Sequence, residues 1–254
     1  MSPIGSPIEA LAILAAGVAA GALNTIVGSG SLITFPTLLV IGYAPVAASI
    51  ANTVGLVAGS ASGVVGYRRE LSGQGARIRT LGVAAVLGGA TGACLLLVLP
   101  ASTFARVVPI LIAIASILMA LQPRLSRLLA ARRPQGLHGS AAAVAIFLTA
   151  IYGGYFGAAQ SVLFMAFLAI LIPGDLQRLN ALKNVLALLV NLVAAVIFIA
   201  VAHVAWEAAG LIALGSIVGA QIGAAIGRRL PAQVLRSAVV MIGLGVAAKL
   251  LFAS

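Results

Sequence analysis

The stretch Asn24-Thr25-Ile26-Val27-Gly28-Ser29-Gly30-Ser31-Leu32-Ile33-Thr34-Phe35-Pro36 breaks an otherwise apolar run with small and polar residues. It is echoed once, at Tyr152-Gly153-Gly154-Tyr155-Phe156-Gly157-Ala158-Ala159-Gln160-Ser161. In a bilayer every backbone N–H and C=O needs an internal partner. A helix break is therefore tolerated only where the freed groups are buried in protein or face a watery cavity. Two such breaks in corresponding halves of a membrane chain point to a transport site.

The residues around the breaks establish the membrane setting. Of 254 residues, 62% are hydrophobic and 7% charged, against about 25% charged in an ordinary soluble domain. Mean hydropathy is +1.21. A hydrocarbon core of about 30 Å takes about 20 apolar residues per helical span. Apolar runs cover 8–42, 44–67, 78–99 and 104–121, then, after a basic connection containing proline, 138–172, 179–203, 205–227 and 234–252. The fold class is an all-α polytopic membrane protein of about eight full spans plus short broken or re-entrant helices, with the lipid bilayer as its surroundings.

The net charge of +11 would suggest nucleic acid in a soluble protein. Here Arg and Lys gather in the breaks between apolar runs, which is the positive-inside pattern, so no nucleic-acid partner is expected. Cys94 stands alone in an apolar run, and His138 and His203 stand alone at expected helix ends. No disulfide framework, metal or cofactor is expected from them. Residues 1–7 carry no basic side chain and no cleavage site follows, so a removable signal peptide is not expected either.

The first run of each half is too long for one untilted span. Divided at its break, it leaves five segments per half, the second of them short, at 31–42 and 160–172. The halves then align in order: Gly28 on Gly157, Phe35 on Phe164, Asn52 on Asn184, Gly88 on Gly219, Gly92 on Gly223, and Leu99-Pro100-Ala101 on Leu230-Pro231-Ala232. This reads as an internal duplication, with repeats at 1–121 and 138–254 joined by a cytoplasmic connection at 122–137. Arg68, Arg69, Arg77 and Arg79 follow the third segment, and Arg124, Arg127, Arg132 and Arg133 follow the fifth. In the second copy Arg228-Arg229 follow the fourth segment, where the first copy has no charge. Five segments per copy invert the second against the first, which places both termini outside and the repeats in inverted topology.

Gly215, Gly219, Gly223 and Gly227 recur one turn apart, with Gly88 and Gly92 as counterparts. Such faces bring helices close in lipid. They serve packing within the fold or a homo-oligomer interface. Two other segments carry polar stripes: Ser49, Asn52, Thr53, Ser60 and Gly63 in one, Asn180, Lys183, Asn184 and Asn191 in the other. The stripes can bond to each other across the bundle or line a site. Lys183 reads either as a lysine snorkelling to the cytoplasmic surface or as an intramembrane functional group. Facing inward, it would meet the helix starts after the breaks, whose N–H groups favour anions. Gly28, Gly30 and Gly157 let backbone approach a ligand, and Asn24, Ser29, Ser31, Tyr155, Gln160 and Ser161 complete the candidate set. A donor-rich site with one ammonium and no carboxylate favours a small oxyanion over a cation.

In these residues the chain resembles the sulfite exporter TauE/SafE family, also known as the 4-toluene sulfonate uptake permease family. The resemblance rests on the Gly-rich break ending at Pro36, Ala48-x-x-x-Asn52-Thr53, Gly66-Tyr67-Arg68-Arg69-Glu70-Leu71, Tyr152-Gly153-Gly154-Tyr155-Phe156-Gly157, and Leu176-Gln177-Arg178-Leu179-Asn180-Ala181-Leu182-Lys183-Asn184. It implies a multi-pass plasma-membrane transporter of small sulfur-containing anions such as sulfite, thiosulfate or sulfonates.

Three functions remain for the structure to weigh. Alternating-access transport of an oxyanion leads. An inside-negative potential favours anion exit by about 2.3 kcal/mol per charge per 100 mV, and Glu9, Glu70, Asp175 and Glu207 all lie near run ends, so export fits better than proton-coupled uptake. A passive anion channel shares every site feature. A membrane-embedded enzyme would need a nucleophile and base or a metal cluster, which the isolated histidines do not supply, so no enzyme activity is expected.

Overall fold

The computed structural model describes residues 4–26, 28–130, 139–226, 240–241 and 243–248, with the backbone alone at 122–130, 139 and 226. Among the described residues the chain is helical throughout: α1 (Pro7–Ile26), α2 (Ser31–Ile41), α3 (Pro45–Gly66), α4 (Gly75–Val98), α5 (Ala101–Ala130), α6 (Gly139–Tyr155), α7 (Gln160–Leu171), α8 (Leu176–Val201) and α9 (Trp206–Ile226). Both long apolar runs divide at their breaks, into α1 and α2 and into α6 and α7. Six helices (α1, α3, α4, α5, α8 and α9) have the length and hydropathy to cross a membrane, where the apolar runs suggest about eight. The difference has two sources. Helix α6 has 17 residues, short of a full span, and most of the 234–252 run lies outside the described residues, as do Gly227, Arg228-Arg229, Leu230-Pro231-Ala232, Arg132, Arg133 and His138. Helix α5 continues to Ala130, so the first nine residues of the expected 122–137 connection are helical.

Local chemistry sets the helix ends. Gly42 stops α2 in the left-handed region (φ 104°), its N–H reaching the Leu38 and Leu39 carbonyls, the usual role of glycine after a helix. Pro45 opens α3 at the first-turn position where a missing N–H costs nothing. Asp175 caps α8, its carboxylate accepting from the Gln177 N–H at 3.0 Å. At 1.5 Å per residue, α2 and α7 are about 16–18 Å long, roughly half the hydrocarbon thickness.

Packing follows the small residues. A Cβ at Gly88 would fall on the Phe147 carbonyl oxygen and one at Gly92 on that of Ile151, so α4 lies in backbone contact with α6. Across the molecule, a Cβ at Gly219 would fall on the Val18 carbonyl oxygen, and one at Gly223 would come within 2.7 Å of that of Ala22, so α9 lies in backbone contact with α1. Gly55 and Gly59 of α3 face Ile212 and Ser216 of α9, and Gly89 of α4 faces Val190 of α8. In these contacts residue numbers rise together, so α1, α3 and α9 run parallel, as do α4 and α6. Large apolar side chains such as Val40, Val98, Leu214 and Val218 point outward, the surface a lipid environment covers.

A polar clasp joins the α3–α4 loop to the α7–α8 turn. Arg178 donates to the Ser72 carbonyl at 2.7 Å, Gln74 to the carbonyls of Glu70 and Arg178 at 2.9 Å, and Arg77 to that of Pro173 at 3.0 Å. Helix α4 carries the chain from this end to the other, where α5 begins. There Phe104 meets Tyr155 at 5.4 Å and Phe156 at 6.2 Å, while Phe35 meets Phe156 edge-on at 5.3 Å, a geometry aromatic rings favour.

Candidate functional site

The two breaks meet each other in the middle of the molecule. Gly28 (φ 94°) and Gly157 (φ 79°), aligned in sequence, both adopt the left-handed conformation that glycine takes without penalty. A Cβ at Gly28 would overlap the Ser161 side chain, and one at Gly157 would lie 3.9 Å from Ser31 Oγ. The N-termini of α2 and α7, which begin at Ser31 and Gln160, are thereby brought together. Neither start has a side-chain cap. Ala159, immediately before α7, is held at φ 60°, a conformation costing an alanine about 1–2 kcal/mol. Such strain gathers at ligand sites.

Between the breaks lies a cavity of about 20 Å³ lined by Asn24, Thr25, Ser31, Ser60, Gly63, Gly157, Gln160, Ser161, Asn184, Ala187 and Asn191. That exceeds the roughly 10–15 Å³ one water needs. Apart from Ala187, its walls are hydroxyls, carboxamides and glycine backbone, with no charged side chain among the lining residues.

Hydrogen bonds hold much of this wall in place. Asn52 of α3 donates to Ser31 Oγ at 3.2 Å and accepts from Thr34, so it fixes the first turn of α2. Asn24 Oδ1 accepts from the Gly30 N–H at 2.9 Å, bridging the first break. Gln160 donates to Asn191 Oδ1 at 3.1 Å, and Asn191 to Ser60 Oγ at 3.4 Å, which ties α7, α8 and α3 together. Three buried polar atoms in this region have no partner among the described residues: Ser29 Oγ, Gln160 Oε1 and Asn184 Nδ2. A buried polar group left unpaired costs about 1–3 kcal/mol. Three together mark a place built for a ligand or water rather than for packing.

Lys183 is 1% exposed, so it does not snorkel. Nor does it reach the helix starts: Nζ donates to the Asn24 carbonyl oxygen at 3.4 Å, and the neighbouring Asn180 donates to that of Thr25 at 3.5 Å. Both therefore sit on the C-terminal end of α1, whose free carbonyls carry the negative end of the helix dipole. The ammonium stands one residue behind the cavity wall. It lies seven residues inside α8, about 10 Å along the axis, and the four carboxylates of the sequence are all at helix ends or in a loop.

Of the residues singled out from sequence, the structure brings Asn24, Ser31, Gly157, Gln160, Ser161 and Asn184 to the cavity itself. Gly28, Gly30, Asn52, Asn180 and Lys183 support it from behind, and Ser29 is buried beside it. Thr53 is buried on α3 outside the lining, and Tyr155 turns away to stack on Phe104. Ser60, Gly63 and Asn191 belong to the polar stripes but not to the candidate set, and both stripes do meet here. Thr25, within the first break, also lines the cavity, and Ala187 does so without any chemical signature that would single it out.

A chain whose described residues are helical, with six membrane-length helices among them and a polar cavity where two broken helices meet, has the architecture of a membrane transport protein. The sulfite exporter TauE/SafE profile matches residues 13–250, and the chain belongs to that family, which places it among membrane transporters. It is 26% identical over 253 residues to the probable membrane transporter protein YfcA of Escherichia coli K12, covering 98% of this chain and 92% of the relative. A probable membrane transporter protein of Haemophilus influenzae is 26% identical over 248 residues, 96% of each chain. The probable membrane transporter protein ORF9 of a Sinorhizobium species is 23% identical over 244 residues, 94% of this chain and 91% of its own. No solved structure matches.

Proposed function

We propose that the protein exports a small sulfur-containing oxyanion, of the sulfite, thiosulfate or small sulfonate type, across the plasma membrane by alternating access. The observation that carries this reading is the meeting of two helix N-termini at a cavity whose wall holds the unpartnered Asn184 donor, with the unpartnered Ser29 hydroxyl buried beside it. Helix starts attract anions. Lys183 Nζ engages the Asn24 carbonyl oxygen, which would otherwise repel an anion in the cavity that Asn24 lines. The family profile, described as sulfite exporter, supports sulfur oxyanions in particular.

Alternating access rests on a proposed inverted repeat, 1–121 against 138–254, with 122–137 between them and both termini outside. Its support is reciprocal packing. Gly88 and Gly92 rest on Phe147 and Ile151 as Gly219 and Gly223 rest on Val18 and Ala22; Val18 and Ala22 align with Phe147 and Ile151 at the offset that relates Gly28 to Gly157. The small cavity lies between the aromatic group around Phe156 and the Arg178 clasp, which favours a gated carrier over an open pore. Reconstituted protein should release labelled sulfite, thiosulfate or methanesulfonate from vesicles with saturable kinetics, faster when the compartment holding the anion is negative. Failure to move any of the three would overturn the substrate class, and flux proportional to concentration without saturation would overturn alternating access.

A further inference from the structure

A second hollow opens at the clasp end, between the first turns of α4, the start of α6 and the end of α7. It measures about 290 Å³ and is lined by Arg77, Thr80, Leu81, Ala142, Leu171 and Ile172, among others. This is close to the lower bound of about 300 Å³ for ligand pockets. It shares no residue with the central cavity, and transport as proposed makes no use of it.

Its polar side chains are both on α4. Arg77 Nη2 donates to the Pro173 carbonyl at 3.0 Å, which holds the guanidinium beside the hollow. Thr80 follows one turn along α4, its hydroxyl on the Ala76 carbonyl at 3.2 Å. The rest of the wall is mostly aliphatic, with Leu81, Ala142, Leu171 and Ile172. A molecule that fills this hollow meets one guanidinium and an apolar wall, the pairing that suits an anionic headgroup carrying a hydrocarbon chain. Charge at this end is predominantly positive. Arg68, Arg69, Arg77, Arg79 and Arg178 stand in or beside the two connected loops, against the carboxylates Glu70 and Asp175, and Asp175 is engaged as the α8 cap.

We propose that this groove binds an anionic phospholipid, with the phosphate on Arg77 and an acyl chain against Leu81, Ala142 and Ile172. Basic pockets between membrane helices at the positively charged side recognise lipid headgroups in this way. The site depends on the membrane setting alone and is independent of which anion crosses the protein.

The test is lipid retention by the purified full chain in nanodiscs of mixed phosphatidylglycerol and phosphatidylcholine, followed by detergent extraction and native mass spectrometry. The intact protein should retain phosphatidylglycerol about fivefold over phosphatidylcholine, the factor that about 1 kcal/mol per basic residue gives. Arg77→Gln should abolish that preference. Thr80→Trp, which fills the groove and leaves every charge in place, should reduce retention of both lipids at this site. Equal retention of the two lipids by the intact protein would overturn the proposal, as would a preference unchanged in both variants. Displacement by inorganic phosphate alone would assign Arg77 to a free anion and likewise overturn it.

Discussion

Gly219→Ala adds one methyl group where α9 rests on α1. The added Cβ would fall on the Val18 carbonyl oxygen, 2.7 Å from its carbon and 2.9 Å from the Ala22 nitrogen. Ordinary contact begins at 3.4 Å, so relieving the carbon alone parts the helices by about 0.7 Å, and the oxygen requires more. All three atoms are backbone and cannot rotate away. Overpacking of this kind costs about 1–3 kcal/mol, against which replacing a helical glycine by alanine returns about 1 kcal/mol. Gly210, on the same helix, has nothing within 4 Å of its Cβ position, so Gly210→Ala keeps the propensity gain and meets no wall. The propensity gain is common to both, so Gly219→Ala should be less stable than Gly210→Ala by the overpacking cost of about 1–3 kcal/mol. Unfolding by denaturing detergent, monitored by circular dichroism, measures the difference. Equal stability of the two variants, or a more stable Gly219→Ala, would refute the backbone contact between α1 and α9 and with it the reciprocal packing of the two halves.

Four further outcomes follow from the site and its surroundings. Gly28→Ala forces an alanine into a left-handed conformation costing about 1–2 kcal/mol and drives its Cβ into Ser161; vesicle flux should fall to background. Gly42→Ala meets the same backbone strain (φ 104°) in open space, so it should lower the melting temperature yet keep flux. Asn52→Ala removes the partner of Ser31 and Thr34; we expect a stability loss of about 1–3 kcal/mol in thermal melts together with a raised KM for flux. Lys183→Met leaves the Asn24 carbonyl without its Lys183 partner but removes a buried, desolvated amino group, so the two effects on stability oppose each other. Melting should change little while anion flux drops at least about tenfold, the factor that 1.4 kcal/mol represents; unchanged flux would show that Lys183 serves the fold alone.

Much of this architecture was legible in the sequence because lipid restricts where polarity can go. The two breaks stood out as the places where Gly, Ser and Asn interrupt runs that otherwise tolerate only apolar residues, and α2 and α7 begin at Ser31 and Gln160 as those interruptions suggest. The glycine spacing on α9 likewise pointed to close packing, and α1 is the helix it rests on. What the sequence withheld was direction. Tyr155 lies inside the second break, yet its ring turns to Phe104 of α5, which it meets edge-on at 5.4 Å. Lys183 shares a stripe with Asn184, yet one faces the end of α1 and the other the cavity, a difference of one residue around α8 that only the position of α1 decides. Ala187 lines the cavity because α8 passes it at that level, and no chemical signature distinguishes it from neighbours that face lipid or core.

The central claim is that a sulfur oxyanion occupies the cavity where the two breaks meet. Calorimetric titration of sulfite into the purified intact protein and into Asn184→Leu, which replaces an unpartnered donor in the cavity wall with an apolar side chain, tests it most directly. The account predicts saturable one-to-one binding to the intact protein and loss of that binding in Asn184→Leu at an unchanged melting temperature. Equal binding to both would place the anion somewhere other than between Ser31, Ser161 and Asn184, and would contradict the site.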